Sequence, residues 1–123
     1  MSKKTKIFIF SSLFLFFNIV GFAQDIEGKI RILFIFDGSN SMNAQWENSS
    51  KITIAKKLMT QTMDSLKNLE NVELALRIYG HQSRILPGKQ DCSDTKLEVP
   101  FASASFNYDK IINEIRRLEP KGT

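Results

Sequence analysis

Residues 30–36 (IRILFIF) are apolar in six of seven positions, and the chain then turns abruptly to Asp37-Gly38-Ser39-Asn40-Ser41. A strand apolar on both faces requires cover on both faces. That is the condition of a central strand in a parallel sheet with helices on each side. The rest of the chain is read against this demand for an α/β layer.

Residues 51–69 place Ile52, Ala55, Leu58, Met59, Leu66 and Leu69 at helical spacing, with Ser49 or Ser50 as the N-cap. Residues 72–79 (VELALRIY) put Val72, Leu74, Leu76 and Ile78 on one face of a strand with a two-residue period. Residues 80–96 are polar, contain Pro87 and Gly88, and read as a long loop. A short strand is expected at 97–101, near a sheet edge because of Pro100. An amphipathic helix follows over 108–118, with Ile111, Ile112, Ile115 and Leu118 aligned. Met42, Met59 and Met63 are expected to fill core space. The order is strand, helix, strand, short strand, helix.

The first 23 residues stand apart from this pattern. Lys3, Lys4 and Lys6 precede a mostly apolar segment, 7–20, and Gly21-Phe22-Ala23 offers small residues at a cleavage site. This is the layout of a secretory signal peptide cut after Ala23. The apolar segment is short for the roughly 20 residues that span a bilayer, so an uncleaved anchor is the lesser reading. The expected location is secreted, periplasmic or cell-envelope, with membrane contact only in transit through the signal peptide. Without that segment, 14 basic residues face 13 acidic ones. The pI of about 9.3 thus reflects targeting and gives no support for nucleic-acid binding. Cys92 is the only cysteine, which rules out an intrachain disulfide. Residues 24–123 hold no repeat or low-complexity tract and read as one globular unit.

Ligands of open α/β sheets sit where strands end at their carboxyl edge. Asp37, Ser39 and Ser41 alternate at that place and can turn three oxygens inward if the loop curls. A hard cation such as Mg²⁺ takes about six oxygen ligands near 2.1 Å and keeps some of its waters. Hydroxyl ligands are neutral, so such a site retains positive charge and can attract a carboxylate from outside. An ordinary polar turn uses the same residue types. The position directly after a continuous apolar strand favours the cation reading.

The stretch DGSNSM after an apolar strand resembles the D-x-S-x-S motif of von Willebrand factor type A (vWA) domains, their metal-ion-dependent adhesion site. The resemblance runs from Lys29 to Thr123, through the LALRIYG strand to the closing LEPKGT. RIYGHQS and DCSDT also look like a bacterial branch of the family. It implies a Rossmann-like fold with a central, mostly parallel sheet flanked by helices, in strand order 3-2-1-4-5-6. It implies metal ligands Asp37, Ser39, Ser41 and Thr123, holding Mg²⁺ or else Mn²⁺ or Ca²⁺. The implied partner is a protein that offers a metal-bridged carboxylate. The family places a further Asp at the end of its fourth strand, and the chain stops before that strand. The expectation is therefore an N-terminal half of the domain at 24–123, truncated, with an incomplete site.

Two function classes follow from these residues. The first is a binding module, which needs no catalytic group. The second is a Mg²⁺-dependent phosphotransferase or phosphatase with an aspartate nucleophile after the first strand. There Ser39 occupies the place of an Asp that would act as acid and base, so the binding module is preferred. A serine hydrolase is weaker still, because DGSNS forms no G-x-S-x-G elbow. In the long loop, His81, Asp91, Cys92 and Asp94 suggest a second metal site. One His and one Cys are too few for a closed site, and a structural loop is expected. Trp46 is expected to be a half-buried loop anchor, with a partner-facing aromatic as the alternative.

Overall fold

The computed structural model describes residues 28–122, so the signal-peptide assignment and Thr123 lie outside the described residues. The fold is mixed α/β, a sheet containing a parallel pair and flanked by helices, and it is Rossmann-like. Its elements in chain order are β1 (Ile30–Asp37), a 3₁₀ turn (Asn40–Asn43), β2 (Gln45–Trp46), β3 (Ser49–Ser50), α1 (Lys51–Leu66), β4 (Val72–Tyr79), β5 (Thr95–Ser103) and α2 (Ala104–Arg117). The main sheet runs β1-β4-β5, while β2 and β3 form a separate small ladder.

β4 is central and parallel to β1, in a register that pairs Ile30 with Val72 and Asp37 with Tyr79. Its even positions Val72, Leu74, Leu76 and Ile78 are all buried, as the two-residue period requires. Both helices lie on that face. Ile52, Met59 and Met63 of α1 and Ala104, Ile111 and Ile115 of α2 join Phe36 and the β4 residues in one core. Lys56 ties the helices together by donating to the carbonyls of Arg116 (3.0 Å) and Leu118 (2.7 Å).

The bounds of several elements are corrected here, and β1 has an open side. Among the described residues β1 pairs only with β4, and no helix covers its second face. Leu33 is 40% and Ile35 65% exposed on that open side. α1 ends at Leu66, short of residue 69, so Leu69 lies beyond the helix and exposed; Leu58, within it, faces solvent instead of the core. Ser50 is its N-cap and accepts from the Thr53 amide at 3.3 Å.

The third main strand is nine residues long and antiparallel, so the sheet is mixed. Its length comes from two irregularities. Leu74 pairs with Ala102 and Leu76 with Val99, which leaves an extra residue in β5 at Pro100–Phe101. Arg77 then pairs with Leu97, which leaves Glu98 as the second extra residue. Pro100 is tolerated at this bulge on an edge strand. The freed carbonyls are satisfied by the buried Asn107, whose Nδ2 donates to Leu74 and Pro100 oxygens at 2.7 Å each. This explains why α2 begins at Ala104 rather than at 108. Asn107, in its first turn, clamps the bulge.

Candidate metal centre

Asp37 closes β1 beside Tyr79, the last residue of β4. The Tyr79 phenol lies near the Asp37 carboxylate. Burial, followed by the proximity of that carboxylate, pushes the phenol above its usual range. The chain leaves the strand at Gly38, whose amide donates to the Tyr79 carbonyl at 2.8 Å. A Cβ at this position would lie 2.8 Å from the His81 Cβ and 3.0 Å from Ile78 Cγ2, so the exit needs glycine.

Asp37 Oδ1 accepts from the Ser39 amide at 2.8 Å, which curls the loop back over the strand end. Ser39 is buried and Ser41 exposed, yet their hydroxyl oxygens meet at 2.8 Å. The 3₁₀ turn holds this geometry, with the Met42 amide donating to the Ser39 carbonyl at 3.0 Å and the Ala44 amide to that of Ser41 at 3.2 Å. The three oxygen side chains expected from the sequence are thus brought together at the carboxyl edge of the sheet. No group of three His, Cys, Asp or Glu residues suited to a metal occurs among the described residues. A cation held here rests on one carboxylate and neutral hydroxyls.

A strap formed by residues 120–122 supports the loop from behind. The Asn40 amide donates to the Gly122 carbonyl at 2.8 Å, and the Lys121 amide to that of Gly38 at 3.3 Å. On its other side, the Gly122 amide donates to the Gly80 carbonyl and the Ile85 amide to that of Lys121, each at 3.0 Å. Asn43 adds a side-chain bond to the Pro120 carbonyl at 3.0 Å. Sequence reasoning took Pro120 and Gly122 only as neighbours of Thr123 and missed Asn43, Tyr79 and Gly80 entirely. Their contacts join distant segments, and the one local signal was glycine at 80 and 122.

The long loop is organised by carboxylates with their own partners. Asp94, buried, accepts from the amides of Gln82 (2.9 Å) and Ser83 (3.0 Å) and from the Gln82 side chain (3.0 Å). Burial works to raise its pKa, but these bonds outweigh it and hold the carboxyl below its usual value. His81 Nε2 bonds Glu98 at 2.7 Å, and Lys96 reaches the other Glu98 oxygen at 2.8 Å. Asp91 accepts from Ser93, and Cys92 is an exposed free thiol. These residues fasten the loop that receives the strap. Trp46 is 57% exposed, not the half-buried anchor expected.

No family model matches the chain, and no curated protein matches it either. Solved structures do match. BatB, a conserved hypothetical protein of Bacteroides thetaiotaomicron, superposes with a TM-score of 0.54 at 20% identity over 76% of this chain and 40% of its own. An aerotolerance-related membrane protein of Bacteroides fragilis gives 0.55 at 21% identity, over 76% and 40%. The PilB minor pilin of Streptococcus sanguinis gives 0.56 at 21% identity, over 77% and 23%. At these identities the likeness shows the fold alone. The chain spans well under half the length of each of these proteins.

Proposed function

We propose that this chain contributes a vWA-like interaction module to a protein of the bacterial cell envelope. In this reading Asp37, Ser39, Ser41 and Thr123 hold a divalent cation, Mg²⁺ or else Mn²⁺ or Ca²⁺. The observation that carries it is the 2.8 Å approach of the Ser39 and Ser41 hydroxyl oxygens beside Asp37. Two ligands at adjacent corners of an octahedron with bonds of about 2.1 Å lie about 3 Å apart, so the pair is already spaced for one small hard ion. Asp37 supplies the only negative charge among these side chains, and Thr123 enters on the family resemblance.

A bound ion supplies net positive charge and open positions for a partner's carboxylate. The chain's residues do the rest: the Ser39 amide orients Asp37, and the strap fixes the backbone at Asn40. The envelope location rests on the signal-peptide pattern and on the membrane-protein and pilin neighbours. The fold likeness supports the vWA reading, since the matching structures share the sheet and helix arrangement that positions this loop.

The test separates binding from phosphoryl transfer. Mn²⁺ binding is expected to weaken about tenfold or more in Ser39→Ala and in Ser41→Ala, taking as a floor the loss typical of residues around metal ligands. Hydrolysis of p-nitrophenyl phosphate with Mg²⁺ should not exceed background. Metal-dependent turnover that disappears in Asp37→Asn would contradict the binding reading and favour the aspartate-nucleophile enzyme.

A further inference from the structure

The hairpin that follows the metal loop is short, rigid and carries an exposed indole. β2 and β3 pair Gln45 with Ser50 and Trp46 with Ser49, around a two-residue turn at Glu47 and Asn48. Glu47 adopts φ 52, a left-handed conformation unusual for glutamate and kept only where surrounding structure enforces it. Both ends of the hairpin are fastened. The Lys51 amide donates to the Ala44 carbonyl at 3.0 Å, and the Ala44 amide to that of Ser41 at 3.2 Å. Ser50 is committed to capping α1. Trp46 is thereby held at a set place relative to Ser41, yet 57% of it faces solvent and it joins no part of the core. The Lys51 ammonium stands 6.0 Å from its ring centroid.

We infer that Trp46 is the apolar contact of the partner-binding surface: it receives an aliphatic or aromatic side chain adjacent in sequence to the acid that meets the cation. This rests on the metal-site reading above. Trp is favoured at the centres of interfaces because it offers a large rigid area with few rotatable bonds. The charge pattern selects the occupant. Lys51 beside the indole and, on the metal-site reading, a cation held by the loop to which the hairpin is tied at Ser41 favour an acidic segment, and the indole favours one with an apolar neighbour.

Trp46 is the only tryptophan, so its fluorescence reports directly on this surface. The probes are acetylated, amidated Gly-Asp-Leu-Gly, Gly-Asp-Gly-Gly and Gly-Asn-Leu-Gly, titrated into the full chain at submicromolar concentration with Mg²⁺ or EDTA. Gly-Asp-Leu-Gly with Mg²⁺ should shift the emission to the blue and bind about fivefold tighter than Gly-Asp-Gly-Gly, as expected for half-burying one leucine. Trp46→Ala, which lacks the fluorescent reporter and is therefore titrated by calorimetry beside the parent chain, should lose that preference and keep its Mn²⁺ affinity and its circular dichroism. Equal binding of the two aspartate peptides in the presence of Mg²⁺ would overturn the role of Trp46 and leave the metal reading standing. Loss of the preference for aspartate over asparagine, or of Mg²⁺ dependence, would overturn both. A blue shift with phosphatidylglycerol vesicles and with none of the peptides would assign the indole to a membrane surface and overturn the inference.

Discussion

Residues 24–123, produced without further sequence, are expected to self-associate at micromolar concentrations, and a single charge on β1 should return them to monomer. Among the described residues β1 has β4 on one side only, so a row of backbone N–H and C=O groups is open on the other. The open face beside it carries Leu33 and Ile35 at 40% and 65% exposure, and Ile30 at the strand's start is 51% exposed. An unpaired edge with apolar, β-branched side chains is a template for a second copy. Arg31 does little to block it, because its guanidinium is engaged by Glu73 at 2.9 Å and lies 4.5 Å from the Phe101 ring centroid.

Leu33 sits near the midpoint of β1, so Leu33→Lys sets like charges close together in any antiparallel pairing of two β1 strands. It is also four residues from Asp37 and leaves the metal loop alone. Sedimentation velocity should show oligomers for the parent chain and a monomer for Leu33→Lys. A parent chain that stays monomeric throughout the micromolar range would show that β1 is not an open edge in solution.

The second large effect is expected at Gly122. A Cβ there would lie 2.6 Å from the Gly80 carbonyl oxygen and 2.6 Å from that of Ser83, both rigid backbone atoms. Gly122→Ala therefore unseats the strap and breaks the bonds it makes to Asn40, Gly38, Gly80 and Ile85. At about 1 kcal/mol for a typical hydrogen bond, partial loss of this set costs about 2–4 kcal/mol. For a domain of this size that corresponds to a melting temperature lower by roughly 10–20 °C. Gly88→Ala is the comparison: nothing lies within 4 Å of its Cβ, and only its φ of 73 is unfavourable. That substitution should cost about 1 kcal/mol. Calorimetry in the Leu33→Lys background decides between them. Equal, small effects at the two positions would mean that the strap is not part of the cooperative fold.

How much of this was legible in the sequence depends on how local its cause was. The two-residue period of β4 translated directly into buried Val72, Leu74, Leu76 and Ile78. The position of Asp37, Ser39 and Ser41 at a strand end was legible because a strand exit is written in consecutive residues. β5 was not, since its bulges at Pro100 and Glu98 depend on register against β4. The role of Asn107, just ahead of the expected helix, was hidden for the same reason: its partners are carbonyls of Leu74 and Pro100. The apolar second face of β1 called for a cover, and the described residues place none there. The strap was hidden because close approach of Gly122 to Gly80 and Ser83 is a tertiary contact over some forty residues.

A divalent cation site at the Asp37 loop makes thermal stability depend on Mg²⁺ concentration. An ion that binds only the folded chain stabilises it by RT ln(1 + [L]/Kd), about 2.7 kcal/mol at a hundredfold excess over Kd. In the monomeric Leu33→Lys chain the melting temperature should climb by roughly 10 °C or more at that excess, given the usual slope for a domain of this length. Asp37→Ala in the same background should fold and show no rise, since it removes the only charged ligand. A melting curve unchanged across millimolar Mg²⁺, Mn²⁺ and Ca²⁺, or a full rise that survives Asp37→Ala, would show that the Asp37 loop is not a cation site.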